Sequence, residues 1–205
     1  MRDDAASFLD PAARKLLKID PNTLSFAALF LAALSGAAIY FSHQSWEILL
    51  PLSSFLVIFS GFFDALDGRV ARLAGKTSRR GDFLDHVLDR YADVLMIGAV
   101  AFSAWCNPYI GIIALVGVLL TSYMGTQAQA VGAGRLYRGI LGRADRIVLL
   151  FIVPLIQWIF MFFGDGWIDF GAFSLSMFEI MMLWFGIAGN ITAVQRVFEV
   201  WKKIK

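Results

Sequence analysis

Apolar residues in this chain gather in long blocks separated by short polar connections. Six blocks stand out, at residues 22–42, 48–65, 83–105, 109–131, 147–163 and 172–194. Each is close to the roughly 20 residues needed to cross a hydrocarbon layer about 30 Å thick. An open strand in lipid leaves backbone donors and acceptors unpaired, so each block is predicted to be a helix. The first 20 residues follow another pattern. Phe8, Leu9, Ala12, Leu16 and Leu17 recur at helical spacing beside Arg14, Lys15 and Lys18. That arrangement predicts an amphipathic helix lying in the membrane interface. The expected fold is an all-α integral membrane protein: six transmembrane helices behind an N-terminal interfacial segment, in a single domain over residues 1–205.

Composition agrees with the pattern. The chain is 59% hydrophobic with a mean hydropathy of +0.68, above the roughly half-apolar soluble average. Six apolar blocks would leave a soluble α/β core too little polar surface to cover them. The first residues lack the apolar core of a signal peptide. With one cysteine, Cys106, neither an intrachain disulfide nor a thiolate metal cluster can form.

The net charge of +2 says less than its distribution. Basic residues cluster before the first block, in the second and fourth connections and after the last block. The connections at 43–47, 106–108 and 164–171 contain no Lys or Arg. Arg90, inside the third block, is the one basic residue off this pattern. The positive-inside bias puts the basic side and both termini in the cytoplasm. Trp46, Trp105, Tyr109 and Trp167 lie near the opposite span ends and fit an aromatic belt. Small residues in the first block, including Ala28, Ala32 and Gly36, predict close helix packing.

Charged residues within spans are costly and point to function. Asp64 and Asp67 end the second block, while Asp85, Asp89 and Asp93 begin the third, with Asp82 just before. Spacings of three and four put Asp64 with Asp67, and Asp85 with Asp89, on shared helix faces. Four carboxylates facing one cavity need a cation to stay ionised together, and oxygen-only ligands suit hard divalent ions. Helix-end salt bridges would explain one or two of these aspartates, not four at helical spacing on adjacent spans. The connection between them carries Gly68, Arg72, Gly75, Lys76, Ser78 and Gly81. Glycine admits close backbone approach, and Arg and Lys neutralise phosphate oxygens. Carboxylates, a metal and basic residues together fit phosphoryl transfer on a phosphorylated substrate. A transporter with an acidic ion site is the non-enzyme alternative. It would spread its acidic groups along a pathway, whereas these sit at one face beside arginines.

Written out, the spacing is Asp64-x₂-Asp67-Gly68-x₂-Ala71-Arg72-x₈-Gly81-x₃-Asp85-x₃-Asp89. It resembles the complete signature of the CDP-alcohol phosphotransferases. The resemblance implies transfer of a phosphatidyl-type group from a CDP-linked lipid to an alcohol, with release of CMP. It also implies a site for Mg²⁺, or Mn²⁺, as two ions, on Asp64, Asp67, Asp85 and Asp89. Asp89 then matches the general base, and Gly68, Ala71, Arg72 and Ser78 match nucleotide contacts. Pro21, Asn22 and Thr23 resemble the Pro-Asn element near the nucleotide. A homodimer is expected on the same ground, with the bilayer, the CDP-lipid and a small phosphorylated alcohol as partners and no nucleic acid.

The acceptor is read from the second basic connection. Arg143 and Arg146, three apart, share a face where the fifth block begins. With Arg196, beyond the sixth block, they make a second anion site suited to a phosphorylated acceptor. Arg143-Ala144-Asp145-Arg146 resembles the Arg-x-x-Arg element of the inositol-phosphate-using branch of the family, and Gly125 to Gly132 resembles its archaeal members. Where bacterial members carry Lys and Arg, this chain has Gly125 and Gln127. Glycerol 3-phosphate and serine are the alternative acceptors. His86, about 100° around the helix from Asp85, reads as a packing or supporting residue.

Overall fold

The computed structural model describes residues 2–134, 136 and 139–204. Among them run seven helices: α1 (Arg2–Lys15), α2 (Pro21–Phe41), α3 (Trp46–Leu73), α4 (Arg79–Ala101), α5 (Pro108–Ala130), α6 (Arg143–Phe163) and α7 (Met177–Lys203). A short antiparallel hairpin of β1 (Trp167–Asp169) and β2 (Ser174–Ser176) precedes α7. The helices α2, α3, α5, α6 and α7 are long and apolar enough to cross a membrane. The expected third span corresponds to α4, which has the length, 23 residues, but carries Asp82, Asp85, Asp89, Arg90 and Asp93 along its first 15 positions. It packs against α2 and α5 within the bundle.

Helix starts follow capping chemistry. Asp20 accepts a hydrogen bond from the backbone of Asn22 at 2.9 Å, with Pro21 at the first position of α2. Asn107 caps α5 in the same way ahead of Pro108. Ser78 accepts from the Gly81 backbone at 3.0 Å and starts α4. These side chains satisfy amide groups that the first turn leaves without partners. At the far end of α3, Gly75 adopts φ 64° and the Lys76 amide reaches back to the Ala71 carbonyl at 2.9 Å. A left-handed glycine is the usual way to close a helix end.

Ile39, Leu50, Ile97, Leu150, Met182 and Phe185 are wholly or almost wholly buried. Phe26, Phe30, Phe55 and Phe59 are exposed on the outside of the bundle, the surface that lipid covers. Small residues let the helices approach. A methyl group on Gly36 would lie 2.6 Å from the Leu95 carbonyl oxygen of α4, and one on Gly189 of α7 would lie 2.8 Å from the Gly117 backbone of α5.

Several boundaries differ from the sequence expectation. Helix α3 continues two turns past residue 65, because Asp64 to Leu73 stay helical beyond the apolar stretch. The sixth span begins at Met177, not residue 172, since Ser174–Ser176 pairs with Trp167–Asp169 and Ser176 then caps α7 through the Glu179 amide. Trp105 lies outside α4 and does not join an aromatic belt. It is fully buried, donates from Nε1 to the Ser42 hydroxyl at 2.7 Å and stacks on Phe178. The N-terminal helix α1 rests on α3, with Ala13 fully buried beside Leu66 and Val70. Arg69 Nε donates to Asp10 Oδ1 at 2.5 Å, which holds the Asp10 carboxyl below its usual range.

Replacing Gly189 with leucine should separate α5 from α7. Overpacking of this kind costs about 1–3 kcal/mol. The thermal unfolding midpoint of the variant in detergent should fall, and an unchanged midpoint would contradict so close a contact.

Candidate active site

Six helix ends meet at one end of the bundle: the starts of α2, α4 and α6 and the final turns of α3, α5 and α7. Two large cavities open there. The first, about 570 Å³, lies between the start of α2, the end of α3 and the start of α4. Pro21, Asn22, Asp64, Asp67 and Gly68 line one part of it, and Ala71, Arg72, Ser78, Gly81 and Asp85 another. Thr23 is exposed and lies outside this lining. Asp20 and Ser25, which the sequence reading passed over, belong to it. Ser25 lies one turn into α2 and its hydroxyl donates to Asp67. A serine on the buried side of an apolar helix, four residues after Pro21, is the sequence feature that marks it.

Asp64, Asp67 and Asp85 each offer an oxygen within 4.8 Å of the others. All-oxygen donors from two helices, one of them oriented by Ser25, fit a hard divalent cation. Asp89 stands apart from this trio, against the N-terminus of α6. Arg143 donates from Nη1 to Asp89 Oδ2 at 2.6 Å and from Nη2 to Asp64 Oδ2 at 2.6 Å. Its Nη2 also meets Asp89 Oδ1. One planar guanidinium thus bridges carboxylates on α3 and α4, a geometry a lysine could not reproduce. Arg143 is set by the turn before it: the Gly142 amide donates to Asp145 Oδ2 at 2.7 Å. The amides of Ile140 and Leu141 donate to the Thr192 hydroxyl of α7 at 3.0 and 3.1 Å.

The second cavity, about 600 Å³, lies on the other side of Asp89 and Arg143. The three arginines expected to share an anion site all line it, and Arg90 joins them. Arg196 lies inside α7, not beyond the sixth span, and is buried. Its Nη1 donates to the Thr121 carbonyl at 2.5 Å. Gly125 makes room for it, since a methyl group there would lie 3.2 Å from Arg196 Nη1. Arg146 is buried and donates from Nη1 to Asp93 Oδ2 at 2.5 Å. His86 accepts a place on the cavity wall, its Nδ1 2.8 Å from the Asp82 carbonyl. Arg135 and Arg138, also part of the basic connection, lie outside the described residues. Cys106 is free, buried and far along the chain from this end, and burial pushes its thiol up to about 12.

A family model described as CDP-alcohol phosphatidyltransferase matches residues 18–194. The chain belongs to this family. Among curated relatives, the archaetidylinositol phosphate synthase of Pyrococcus horikoshii is 29% identical over 190 residues, covering 92% of this chain and 87% of that protein. The archaetidylinositol phosphate synthase of Methanothermobacter thermautotrophicus is 31% identical over 200 residues, covering 97% and 91%. The crystal structure of Mycobacterium tuberculosis phosphatidylinositol phosphate synthase with CDP-DAG bound has the same fold. It superposes with a TM-score of 0.73 at 24% identity, covering 95% of this chain and 96% of that one. The same mycobacterial enzyme has been solved in complex with manganese and citrate. As a CDP-alcohol phosphatidyltransferase, this chain is a transferase of membrane lipid synthesis; Asp64, Asp67 and Asp85 line its first cavity and Asp89 its second.

Asp67→Asn and Asp85→Asn should each weaken Mn²⁺ binding by about tenfold or more, since each removes one anionic donor from a trio. Electron paramagnetic resonance titration of the purified protein checks this, and wild-type affinity in both variants would remove the trio as the metal centre.

Proposed function

We propose that this CDP-alcohol phosphatidyltransferase moves the phospholipid moiety of a CDP-linked lipid, CDP-archaeol or CDP-diacylglycerol, to the hydroxyl of inositol 1-phosphate and releases CMP. The observation that carries the proposal is the contact between two cavities of different chemistry. One has carboxylates with the basic side chains Arg72 and Lys76, and the other has four arginines. Asp89 and Arg143 stand where they meet. The relatives named as inositol phosphate lipid synthases support the same acceptor.

In this proposal the first cavity binds the donor. Gly68 and Ala71 allow the nucleotide to approach α3, Arg72 pairs with its diphosphate, and Pro21, Asn22 and Ser78 border the cytidine. Asp64, Asp67 and Asp85, with Asp89 as the fourth carboxylate, would hold Mg²⁺, or Mn²⁺ in its stead, as two ions. A bound divalent cation supplies charge stabilisation on the diphosphate. The second cavity binds the acceptor, whose phosphate meets Arg143, Arg146 and Arg196. Asp89, which lines the second cavity and pairs with the Arg143 shared by both, takes the proton from the acceptor hydroxyl. That oxygen forms a bond to the lipid-linked phosphorus, and the bond from this phosphorus to CMP breaks. The Arg143 guanidinium orients Asp89 through two contacts and keeps the paired carboxylates from repelling each other. The distribution of basic connections supports a cytoplasmic site and cytoplasmic termini. We further propose one domain over residues 1–205 and a homodimer.

The test is CMP release by purified protein in detergent with Mg²⁺ and a CDP-lipid, offered inositol 1-phosphate, glycerol 3-phosphate or serine in turn. Release with inositol 1-phosphate is expected, and release only with another alcohol would overturn the acceptor. Asp89→Asn should lower kcat by about 10²–10⁴-fold, the usual range for a lost general base, while sparing CDP-lipid binding. Equal loss of both would make Asp89 a metal ligand first.

A further inference from the structure

Asp93 belongs to none of the functions assigned above, yet it is buried and ionic. It lies one helical turn beyond Asp89 on α4, 8% exposed. Its Oδ2 accepts from Arg146 Nη1 at 2.5 Å and lies 3.3 Å from Arg90 Nη1. Both arginines line the second cavity, whereas Asp93 lines neither of the two large ones. Asp93 borders only a small cleft of about 40 Å³ beside Asp89 and Arg143, and from there it grips two of the guanidiniums that form the second cavity.

Such a grip has a physical purpose. Arg146, 5% exposed, is nearly removed from water, and Arg90 is a like charge beside it. Without a carboxylate between them the two would repel, and each would swing through its many rotamers. Four guanidiniums, those of Arg90, Arg143, Arg146 and Arg196, surround this cavity. Asp64, Asp89 and Asp93 pair with them, and the wall keeps an excess of positive charge. The balance left over suits a phosphate monoester, which carries about −1.5 to −2 near neutrality. Holding side chains in their bound geometry beforehand improves affinity by lowering the ordering cost of binding.

We propose that Asp93 is a positioning residue for the acceptor subsite: it fixes Arg90 and Arg146 so that the cavity meets the phosphate of a phosphorylated alcohol with its guanidiniums already aimed. The inference rests on the acceptor assignment made under the proposed function. It makes Asp93 a determinant of acceptor affinity that touches no substrate and no reacting atom.

Two consequences of removing its charge oppose each other. The cavity becomes more positive, which by itself would draw phosphate in. The guanidiniums lose their anchor, which weakens it. Positioning requires the second effect to win. Asp93→Asn is the informative variant, because its side-chain carbonyl can still accept from Arg146 while the charge is gone. Steady-state CMP release is measured with inositol 1-phosphate and CDP-lipid varied separately. The KM for the acceptor should rise about tenfold, the lower end for loss of a supporting contact, with the KM for CDP-lipid changed by less than about twofold. In an Arg146→Gln background the same substitution should add less than about threefold, since residues acting through one another are not additive. An acceptor KM that is unchanged or lower, or an equal rise for both substrates, overturns the proposal. Asp93→Ser is read in the same way. Loss of folded protein in both variants also overturns it, because Asp93 would then hold the scaffold and not the subsite. If the wild-type protein uses another phosphorylated acceptor, the acceptor assignment fails and the Asp93 comparison proceeds with that acceptor. Use of serine alone overturns both.

Discussion

The bridge from Arg143 to Asp64 and Asp89 is the interaction on which this end of the bundle depends. Ionised groups within a membrane protein are stable only when each faces an opposite charge, a metal or water. Here α3 and α4 bring their aspartates together, and the guanidinium at the start of α6 ties the two helices to a third. Removing one partner from such a pairing is costly, because the other stays charged in a poorly solvated place. The fork geometry of arginine lets one side chain serve both carboxylates. The position of α6 relative to α3 and α4 follows from it.

The remaining pieces hold that bridge in register. Thr192 of α7 fixes the backbone just before Arg143 through two amides. Gly139, with φ 152° and its Cα pressed against Thr192, makes that approach possible, since a methyl group there would lie 2.1 Å from the Thr192 side chain. The contact of Gly117 with Gly189 brings α5 against α7, so Thr121, Gly125 and Arg196 share one wall. At the first cavity, the caps at Asp20 and Ser78 start α2 and α4 where their first turns border it. Close packing in the apolar half of the bundle therefore determines distances between charged groups at its end.

The chemistry was more legible in the sequence than the boundaries were. Aspartates at helical spacing on two adjacent apolar blocks announce a shared face whatever the tertiary detail, because periodicity alone determines which side chains line up. The family signature overlies that spacing residue for residue. Helix ends were harder. Hydropathy sees the end of the apolar stretch, near residue 65, and not the end of the helix at Leu73, which a polar but helix-compatible sequence carries onward. It likewise took residues 172–176 as part of a span, since a short strand of Ser and Leu beside an apolar helix has no separate hydropathy pattern. Trp105 looked interfacial from its place in the chain, yet its indole nitrogen finds Ser42 in the interior, a partner 63 residues away. Ser25 stands in the sequence as an isolated polar residue, and Asp93 as one more aspartate of the third block. Only the packing reveals that one orients Asp67 and the other joins Arg146.

Arg143 is part of the lining of both cavities, and this has a thermodynamic consequence. A single side chain cannot rearrange for one ligand without altering the surroundings of the other. The occupancies of the two cavities are therefore linked. Whatever factor a ligand of the first cavity applies to affinity in the second, a ligand of the second applies to affinity in the first, in the same direction and by the same amount. Cooperation between two such ligands, or antagonism between them, is then carried by the shared wall and needs no movement of the helices that support it.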